Sequence, residues 1–259
     1  MKILVCIKQV LDSDETLSIN DDSSWIIHNK QSVFRMNRYD EFALEEAIRI
    51  NENSPGTTTI DAISIGPSRV CSTVRKTLEM GAHDGIHILT PDEAYMSPTQ
   101  TASLIAGFAE GKGYDLILTG VMAEDDMHCQ VGQLTAGFLN LPCATSVIYL
   151  SIHDDNVTVY AERELEHGRR SCLELDMPCV LTIQSGINRP RYPSLSNVIR
   201  AKSQDITTID ARAFNPSEKQ EVIKRIRRPE NGPNGRFIEG STHDKAKELI
   251  RILHEQSIL

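Results

Sequence analysis

The first 140 residues alternate between short apolar runs of β type and segments in which apolar residues recur at helical spacing. The strand-like runs and the helical segments follow one another in the order 2–10, 39–50, 58–65, 68–80, 85–89, 97–110, 115–120 and 130–140. This alternation is typical of a doubly wound α/β fold, because each helix connects two parallel strands and packs on the sheet. We therefore predict a mainly parallel, Rossmann-like sheet.

From residue 142 onward the chain changes to closely spaced strands without helices between them. Three short β-type runs indicate an antiparallel β meander, at 144–151, 156–163 and 170–175. The last fifty residues are charged and poor in core residues. We expect one α/β domain over residues 1–205 and a C-terminal arm over 206–259 that packs on a partner.

Composition argues against several classes of protein. The formal net charge is −9, with 27 basic against 36 acidic residues, which disfavours a nucleic acid or an anionic membrane as the main partner. No run approaches the roughly 20 apolar residues that span a bilayer, and the first residues are typical of a core strand rather than a secretory signal. A cytoplasmic location without membrane insertion is expected. The 6 cysteines form no C-x-x-C pair, so no metal site is predicted.

The segment from Asp115 to Asn140 predicts a binding site. An apolar strand ends at Gly120, the chain continues through a polar loop, and an amphipathic helix begins at Gln130. In a parallel sheet, ligands lie outside the carboxyl ends of the strands, and a helix that begins there directs free N–H groups at an anion. An ordinary strand, loop and helix without any ligand remains the alternative.

Two other strand ends are expected at the same edge of the sheet. Residues Cys6 to Gln9 end the first strand, and Gly66 follows the second. Small residues at this edge, which include Gly66, Gly120 and Ala123, allow a planar ring to approach the backbone. The alternative is that the glycines serve only the turns.

Motifs of catalysis are absent from the sequence. There is no G-x-G-x-x-G after the first strand, no G-x-x-x-x-G-K-[ST], no H-E-x-x-H and no G-x-S-x-G. His128 and Cys129 are adjacent, but neighbouring residues at a helix entry point in different directions, which disfavours a catalytic dyad. We therefore predict no catalytic residue.

The segment Arg189–Lys202 is basic, is interrupted by prolines and carries few apolar residues. One interpretation is a plain surface turn. The other is a loop within residues 186–202 that docks a partner, with Tyr192 or Leu195 as the apolar anchor and arginines such as Arg191 at the rim.

Six blocks in order carry a resemblance to a known family. They are KILVCIKQV, MNRYDEFALEEAIRI, ISIGP with TLEMGAHDGIHI, the stretch ending in QVGQLTAGFL, NRPRYPSLSNVIRAK and FIEGSTHDKAKELIRIL. In these blocks the chain resembles the β subunit of electron transfer flavoproteins, the group that includes the FixA proteins of bacteria.

The resemblance implies an electron carrier rather than an enzyme. Its partner would be an α subunit that holds most of the redox FAD, while this chain buries an adenine nucleotide. The donors would be acyl-CoA dehydrogenases or similar flavoproteins of fatty acid β-oxidation, and the acceptor would be a membrane quinone oxidoreductase. In the commonest type the buried nucleotide is AMP, with a structural role. In an electron-bifurcating, NADH-linked type it is a second FAD.

The resemblance also implies which residues contact the nucleotide. They are Cys6, Asn37, Arg38, Tyr39, Asp40, Ile65, Gly120, Ala123, Asp125, Asp126, His128, Cys129, Gln130 and Val131. Of these, Cys129, Gln130 and Val131 would surround the phosphate, and Tyr39 would face the dimethylbenzene edge of the α-subunit flavin. Leu195 would anchor the docking loop.

Two departures from the family pattern bear on the choice between AMP and FAD. Bifurcating members commonly carry a smaller loop of the type D-G-D-T-A-Q-V-G-P, whereas residues 124–128 are bulky here and Gln133 replaces the proline. Val131 lacks the hydroxyl of a threonine found in AMP-type relatives. A lost hydrogen bond of about 0.5–1.5 kcal/mol is replaceable by backbone N–H groups, whereas a clash with a flavin is not. We therefore predict AMP.

A stand-alone, universal-stress-like nucleotide sensor is an alternative of another class.

Overall fold

The computed structural model describes most of the chain as two compact units, Met1–Ile226 and Arg227–Leu259. The described residues are 1–15, 17–20, 25–29, 31–53, 58–91, 95–155, 157–218, 221–228 and 235–258. Asn156, the first residue of one predicted strand, and residues 219–220, 229–234 and 259 of the predicted arm lie outside them.

Among the described residues, the first unit contains all thirteen strands and five of the six α-helices. Its strands are β1 (Lys2–Ile7), β2 (Gln9–Leu11), β3 (Ser18–Ile19), β4 (Ile26–Ile27), β5 (Phe34–Met36), β6 (Thr59–Gly66), β7 (Asp84–Leu89), β8 (Leu116–Gly120), β9 (Cys143–Ile152), β10 (Thr158–Glu164), β11 (Arg170–Asp176), β12 (Cys179–Ile183) and β13 (Ile206–Asp210). Its helices are α1 (Arg38–Asn53), α2 (Cys71–Met80), α3 (Pro98–Ala109), α4 (Val131–Leu139) and α5 (Leu195–Ser203).

Nine strands form one sheet in the order β11-β10-β9-β12-β8-β1-β6-β7-β13. From β9 to β13 in this order, each strand pairs in parallel with the next. At the other end of the sheet, β9 pairs antiparallel with β10, and β10 with β11, as a meander. The predicted α/β fold with a mainly parallel sheet and a β meander is therefore confirmed.

The central strand β1 shows why the sheet carries helices on both faces. Ile3, Val5 and Ile7 belong to the hydrophobic cluster that contains the apolar residues of α1, whereas Leu4 and Cys6 belong to the cluster that contains those of α3. Alternate side chains of a strand point to opposite faces, so a continuous apolar run is buried on both sides.

The order of the strands places a crevice beside β1. The chain passes from β1 to β6 and β7 on one side and then returns to β8 on the other. At such a reversal the connecting segments diverge, and the carboxyl ends of the strands are left open to a ligand.

The end of the first unit differs from the expected boundary after residue 205. β13 lies beyond that boundary, yet it pairs in parallel with β7 from Ile206–Gly85 to Asp210–Leu89. Backbone pairing therefore places this part of the predicted arm in the sheet, and the unit continues to Ile226.

The second unit, Arg227–Leu259, contains the helix α6 (Thr242–Glu255). Ser241 caps it, since the Ser241 side chain accepts a hydrogen bond from the Asp244 N–H group and the Asp244 side chain accepts one from the Ser241 N–H group. The apolar residues Leu249 and Ile250 of α6 are about half exposed. That this arm packs on a partner stays a prediction. Across the described residues, no helix has the length and apolar character needed to cross a bilayer.

Candidate functional site

A cavity of about 670 Å³ opens at the carboxyl ends of β1, β6 and β8. This volume lies within the range of roughly 300–1,000 Å³ that is usual for small-molecule sites. Its walls come from the ends of the three strands, the first turn of α3, the loop of residues 121–130 before α4, and residues 221–226. The crevice predicted from the strand ends is therefore present.

The start of α4 provides hydrogen-bond donors at one side of this cavity. Gln130 occupies the N-cap position, and among the described residues no side chain caps the helix. Met127 and Cys129, just before it, adopt left-handed backbone conformations with φ of 52° and 55°. Uncapped N–H groups and the positive end of the helix dipole favour an anion at this place.

Lys8 fixes the 121–130 loop by pairing with two of its carboxylates. The Lys8 Nζ atom lies 2.7 Å from Asp125 Oδ1 and 2.7 Å from Asp126 Oδ2. Burial lowers the pKa of Lys8, but the two carboxylates outweigh burial and hold that pKa above its usual value. Lys8 was not predicted from the sequence, although its position directly after the first strand is a usable signal.

Asn37 holds the same loop from the other side. Its Nδ2 donates to the Met122 carbonyl oxygen at 2.9 Å, and its Oδ1 accepts from the Glu124 N–H group at 3.1 Å. The Arg38 N–H group donates to the Glu124 carboxylate at 3.2 Å. The start of α1 therefore sets the position of the loop that lines the cavity.

Asp40 joins the ends of β1 and β8. Its carboxylate accepts hydrogen bonds from the Lys8 N–H group at 2.7 Å and from the Gly120 N–H group at 3.0 Å. Burial raises the pKa of Asp40 to about 7, although these two N–H groups act in the opposite direction. A carboxylate in this position keeps two neighbouring strand ends at a fixed separation.

The glycines at the edge of the sheet serve the packing of the chain itself. A Cβ atom on Gly120 would lie 2.4 Å from Asp40 Oδ1 and 2.7 Å from Tyr39 Cβ. A Cβ atom on Gly66 would lie 2.7 Å from Val70 Cγ2. Gly120 therefore admits the start of α1, and Gly66 admits the turn before α2, while both glycines also line the cavity. Ala123 lines the cavity.

Ser64, at the end of β6, is the buried polar residue that most strongly indicates a ligand. The residue is 2% exposed and lines the cavity, and its Oγ atom has no hydrogen-bond partner in the part of the chain that the structure describes. A buried hydroxyl without a partner costs free energy, so a ligand atom that pairs with it is favoured. Together with the uncapped start of α4, this residue suits a ligand that carries both an anionic group and a group able to form a hydrogen bond.

The structure brings most of the predicted contact residues to the cavity. Those that line it are Cys6, Asn37, Asp40, Ile65, Gly120, Ala123, Asp125, Asp126, His128, Cys129, Gln130 and Val131. Arg38 and Tyr39 do not line it, because Arg38 is exposed on the first turn of α1 and the Tyr39 Cβ atom packs near Gly120. Their contact with a nucleotide stays a prediction.

The two cysteines at the cavity differ in exposure, since Cys6 is buried and Cys129 is exposed. Burial and the Asp40 carboxylate raise the pKa of the Cys6 thiol far above its ordinary value, so it is protonated at neutral pH. Cys129 donates from its Sγ atom to the Met127 carbonyl oxygen at 3.4 Å rather than to His128. That His128 and Cys129 form no dyad stays a prediction.

Aromatic residues at the cavity were not predicted. The rings of Trp25 and Tyr95 lie 5.3 Å apart between centroids, and those of Tyr95 and His128 lie 6.3 Å apart. The Tyr95 hydroxyl donates to Glu221 Oε2 at 3.1 Å. These residues come from distant segments, so no local pattern in the sequence indicates their association.

The 186–202 loop has a base that is bound to α1. Asn188 Nδ2 donates to the Phe42 carbonyl oxygen at 2.9 Å and to Glu46 Oε2 at 2.8 Å. Arg191 forms ion pairs with Glu45 and Glu52. Arg191, which was expected at the rim of a docking surface, is thus engaged by carboxylates of its own chain.

The predicted apolar anchors lie beyond this base. Tyr192 is 95% exposed and Leu195 is 77% exposed, and Ile199, one turn further along α5, is 61% exposed. Exposed apolar side chains on a fixed base are typical of a protein-binding surface.

Comparison with known proteins identifies the family of the chain. The family model described as "Electron transfer flavoprotein domain" matches residues 24–214. The chain is 36% identical over 215 residues to the electron transfer flavoprotein subunit beta of Bos taurus, covering 82% of each chain. It is 29% identical over 262 residues to that of Methylophilus methylotrophus, covering 98% of each chain, and 33% identical over 239 residues to the Arabidopsis thaliana mitochondrial protein, covering 92% and 93%. The chain therefore belongs to the electron transfer flavoprotein family and takes its place among the β subunits.

Proposed function

We propose that this chain is the β subunit of a heterodimeric electron transfer flavoprotein that binds AMP in the cavity at the ends of β1, β6 and β8. The observation that carries the proposal is the combination, at one edge of the sheet, of the start of α4 and the Ser64 hydroxyl, neither of which has a side-chain partner within the described residues. The chain acts as an electron carrier subunit, and AMP has a structural role. The cytoplasmic location stays a prediction.

The phosphate of AMP is bound by the first N–H groups of α4. Val131 is the first residue of that helix, and Gln130 and Cys129 precede it at the cavity wall. Lys8 neutralises part of the negative charge of Asp125 and Asp126, which lowers their repulsion of a phosphate.

AMP is favoured over FAD by the side chains that occupy the cavity wall before α4. Asp125 and Asp126 are held there by Lys8, and His128 packs beside Tyr95. A larger dinucleotide would have to displace these groups. FAD in this site, as in an electron-bifurcating and NADH-linked complex, is the second candidate.

The redox chemistry is supplied by FAD held mainly by the α subunit. In this chain, Tyr39 at the start of α1 is proposed to cover the dimethylbenzene edge of that flavin. The second unit, with the exposed apolar residues of α6, is proposed to bind the α subunit.

The 186–202 loop is proposed to dock electron donors of the acyl-CoA dehydrogenase type, and the complex is proposed to pass electrons on to a quinone oxidoreductase. Leu195 and Tyr192 provide exposed apolar anchors, while Asn188 and Arg191 hold the loop on α1. A stand-alone nucleotide sensor has no use for such anchors.

Acid extraction of the purified heterodimer tests the proposal. Chromatography of the released nucleotides is expected to give one AMP and one FAD per heterodimer. Two FAD molecules would support the bifurcating type instead. A chain that purifies alone as a stable homodimer and binds ATP would overturn the assignment as a flavoprotein subunit.

A further inference from the structure

Neither the strand of Ser64 nor the neighbouring side chains account for its buried hydroxyl. Its backbone pairs with Ile7 in β1 and His87 in β7, so the strand itself is satisfied. The His87 ring forms its hydrogen bond with the Gly66 carbonyl oxygen at 2.9 Å and not with Ser64. Within the described part of the chain the Ser64 hydroxyl has no hydrogen-bond partner, and a buried hydroxyl left without one costs free energy.

The position of Ser64 relative to α4 indicates which part of a nucleotide meets it. α4 follows β8, Ser64 lies two residues before the end of β6, and β1 lies between the two strands. Two strand spacings amount to about 10 Å. With the phosphate at α4 and the ribose over β1, the base of a nucleoside monophosphate therefore lies at the end of β6.

The surroundings of Ser64 suit a heteroaromatic ring with acceptor atoms. Ile7, the partner of Ser64 in β1, lines the same cavity together with Ile63 and Ile65, and the Cys6 thiol is protonated. The Trp25 Nε1 atom is also buried at this cavity without a partner among the described residues. Indole nitrogen only donates, and a serine hydroxyl donates or accepts, so both groups can pair with ring nitrogens.

We propose that Ser64 is a specificity-determining residue whose hydroxyl donates a hydrogen bond to a ring nitrogen of the adenine base. This inference rests on the proposed function, since it takes an adenine nucleotide as the ligand.

The test uses the full heterodimer, stripped of its nucleotide and titrated by calorimetry with AMP and with 1-deaza-, 3-deaza- and 7-deaza-AMP. Wild type is expected to bind one of these analogues about 3- to 10-fold more weakly than AMP. Ser64→Ala is expected to bind AMP about 3- to 10-fold more weakly and to bind that same analogue as well as it binds AMP.

Thr77→Val is the matched control. Thr77 is fully buried in α2, and its hydroxyl donates to the Val74 carbonyl oxygen at 2.7 Å away from the cavity. This variant also loses a buried hydroxyl, but it is expected to keep the wild-type order of affinities. General destabilisation therefore cannot produce the pattern expected for Ser64→Ala.

The outcomes separate this inference from the proposed function. If AMP is extracted from the complex but wild type binds all analogues equally, or Ser64→Ala keeps the wild-type preferences, the role of Ser64 is refuted alone. If the site holds FAD, the AMP assignment fails. Ser64→Ala is then expected to lose that FAD about 3- to 10-fold more readily than wild type. Equal retention of FAD by the two proteins would refute the inference. If the site holds no adenine nucleotide, both fail.

Discussion

The guanidinium of Arg191 binds both carboxylate oxygens of Glu45, with Nη2–Oε1 at 2.8 Å and Nε–Oε2 at 2.9 Å. The Arg191 N–H group adds a third contact to Oε2 at 3.2 Å. The Glu45 side chain is only 5% exposed, whereas that of Arg191 is 34% exposed. A bidentate pair of this geometry fixes the 186–202 loop on α1.

Arg191→Ala is expected to lower the free energy of unfolding by about 1–3 kcal/mol, because it leaves the buried Glu45 carboxylate without its main partner. Urea unfolding of the heterodimer measures this change. Arg189→Ala removes the same charge from an exposed position in the same loop and should leave stability within about 0.5 kcal/mol. Equal stabilities of the two variants would contradict the anchoring role.

Leu195→Ala is expected to weaken electron uptake from an acyl-CoA dehydrogenase by about 10-fold in KM, because it removes an exposed apolar anchor from the 186–202 loop. Steady-state reduction of the flavoprotein by its donor measures this effect. Heterodimer formation and flavin content should stay unchanged. Val157→Ala, also at an exposed apolar residue, should leave KM unchanged, and loss of flavin in Leu195→Ala would argue against docking.

Lys8→Met is expected to weaken AMP binding about 3- to 10-fold, since it leaves Asp125 and Asp126 unpaired beside the proposed phosphate site. Calorimetric titration of the stripped heterodimer with AMP measures the loss. Lys76→Met breaks an exposed pair with Glu79 at 3.0 Å and serves as the control. The same affinity in both variants would mean that Lys8 does not act on the site.

The contribution of Asp40 to the stability of the first unit is expected to fall as the pH rises from about 4 to about 7. Burial raises the pKa of Asp40 from 3.8 to about 7, so the folded state binds more protons than the unfolded state in this window. Asp40→Asn should flatten this part of the pH profile of urea unfolding.

Asp155 provides a comparison of opposite sign. The Val157 N–H group lowers the pKa of Asp155, so the stability contributed by this carboxylate is lost as the pH falls below its ordinary value of 3.8. Asp155→Asn should therefore leave the window between pH 4 and 7 unchanged. If Asp40→Asn does not alter the pH dependence of stability between pH 4 and 7, Asp40 titrates in its ordinary range.

The fold class was predictable because it depends on short-range patterns. The continuous apolar run of β1 predicts a strand buried on both faces, and alternate residues of that run do belong to two different cores. Ser97 before α3 lies in a capping box, another feature that neighbouring residues determine. The site was predictable to the extent that strand ends of a parallel sheet share an edge.

The amino-acid sequence by itself determined the alternation of strands and helices, the edge of the sheet at which the cavity opens, and, through family resemblance, the class of protein. Only the tertiary structure decided which charges meet. Lys8 pairs with Asp125 across 117 positions, and Arg191 pairs with Glu45 across 146. The same holds for Gly120, whose missing side chain admits the start of α1. Periodicity reports only neighbours along the chain, whereas these contacts depend on the order of the strands in the sheet and on the packing of α1 against it.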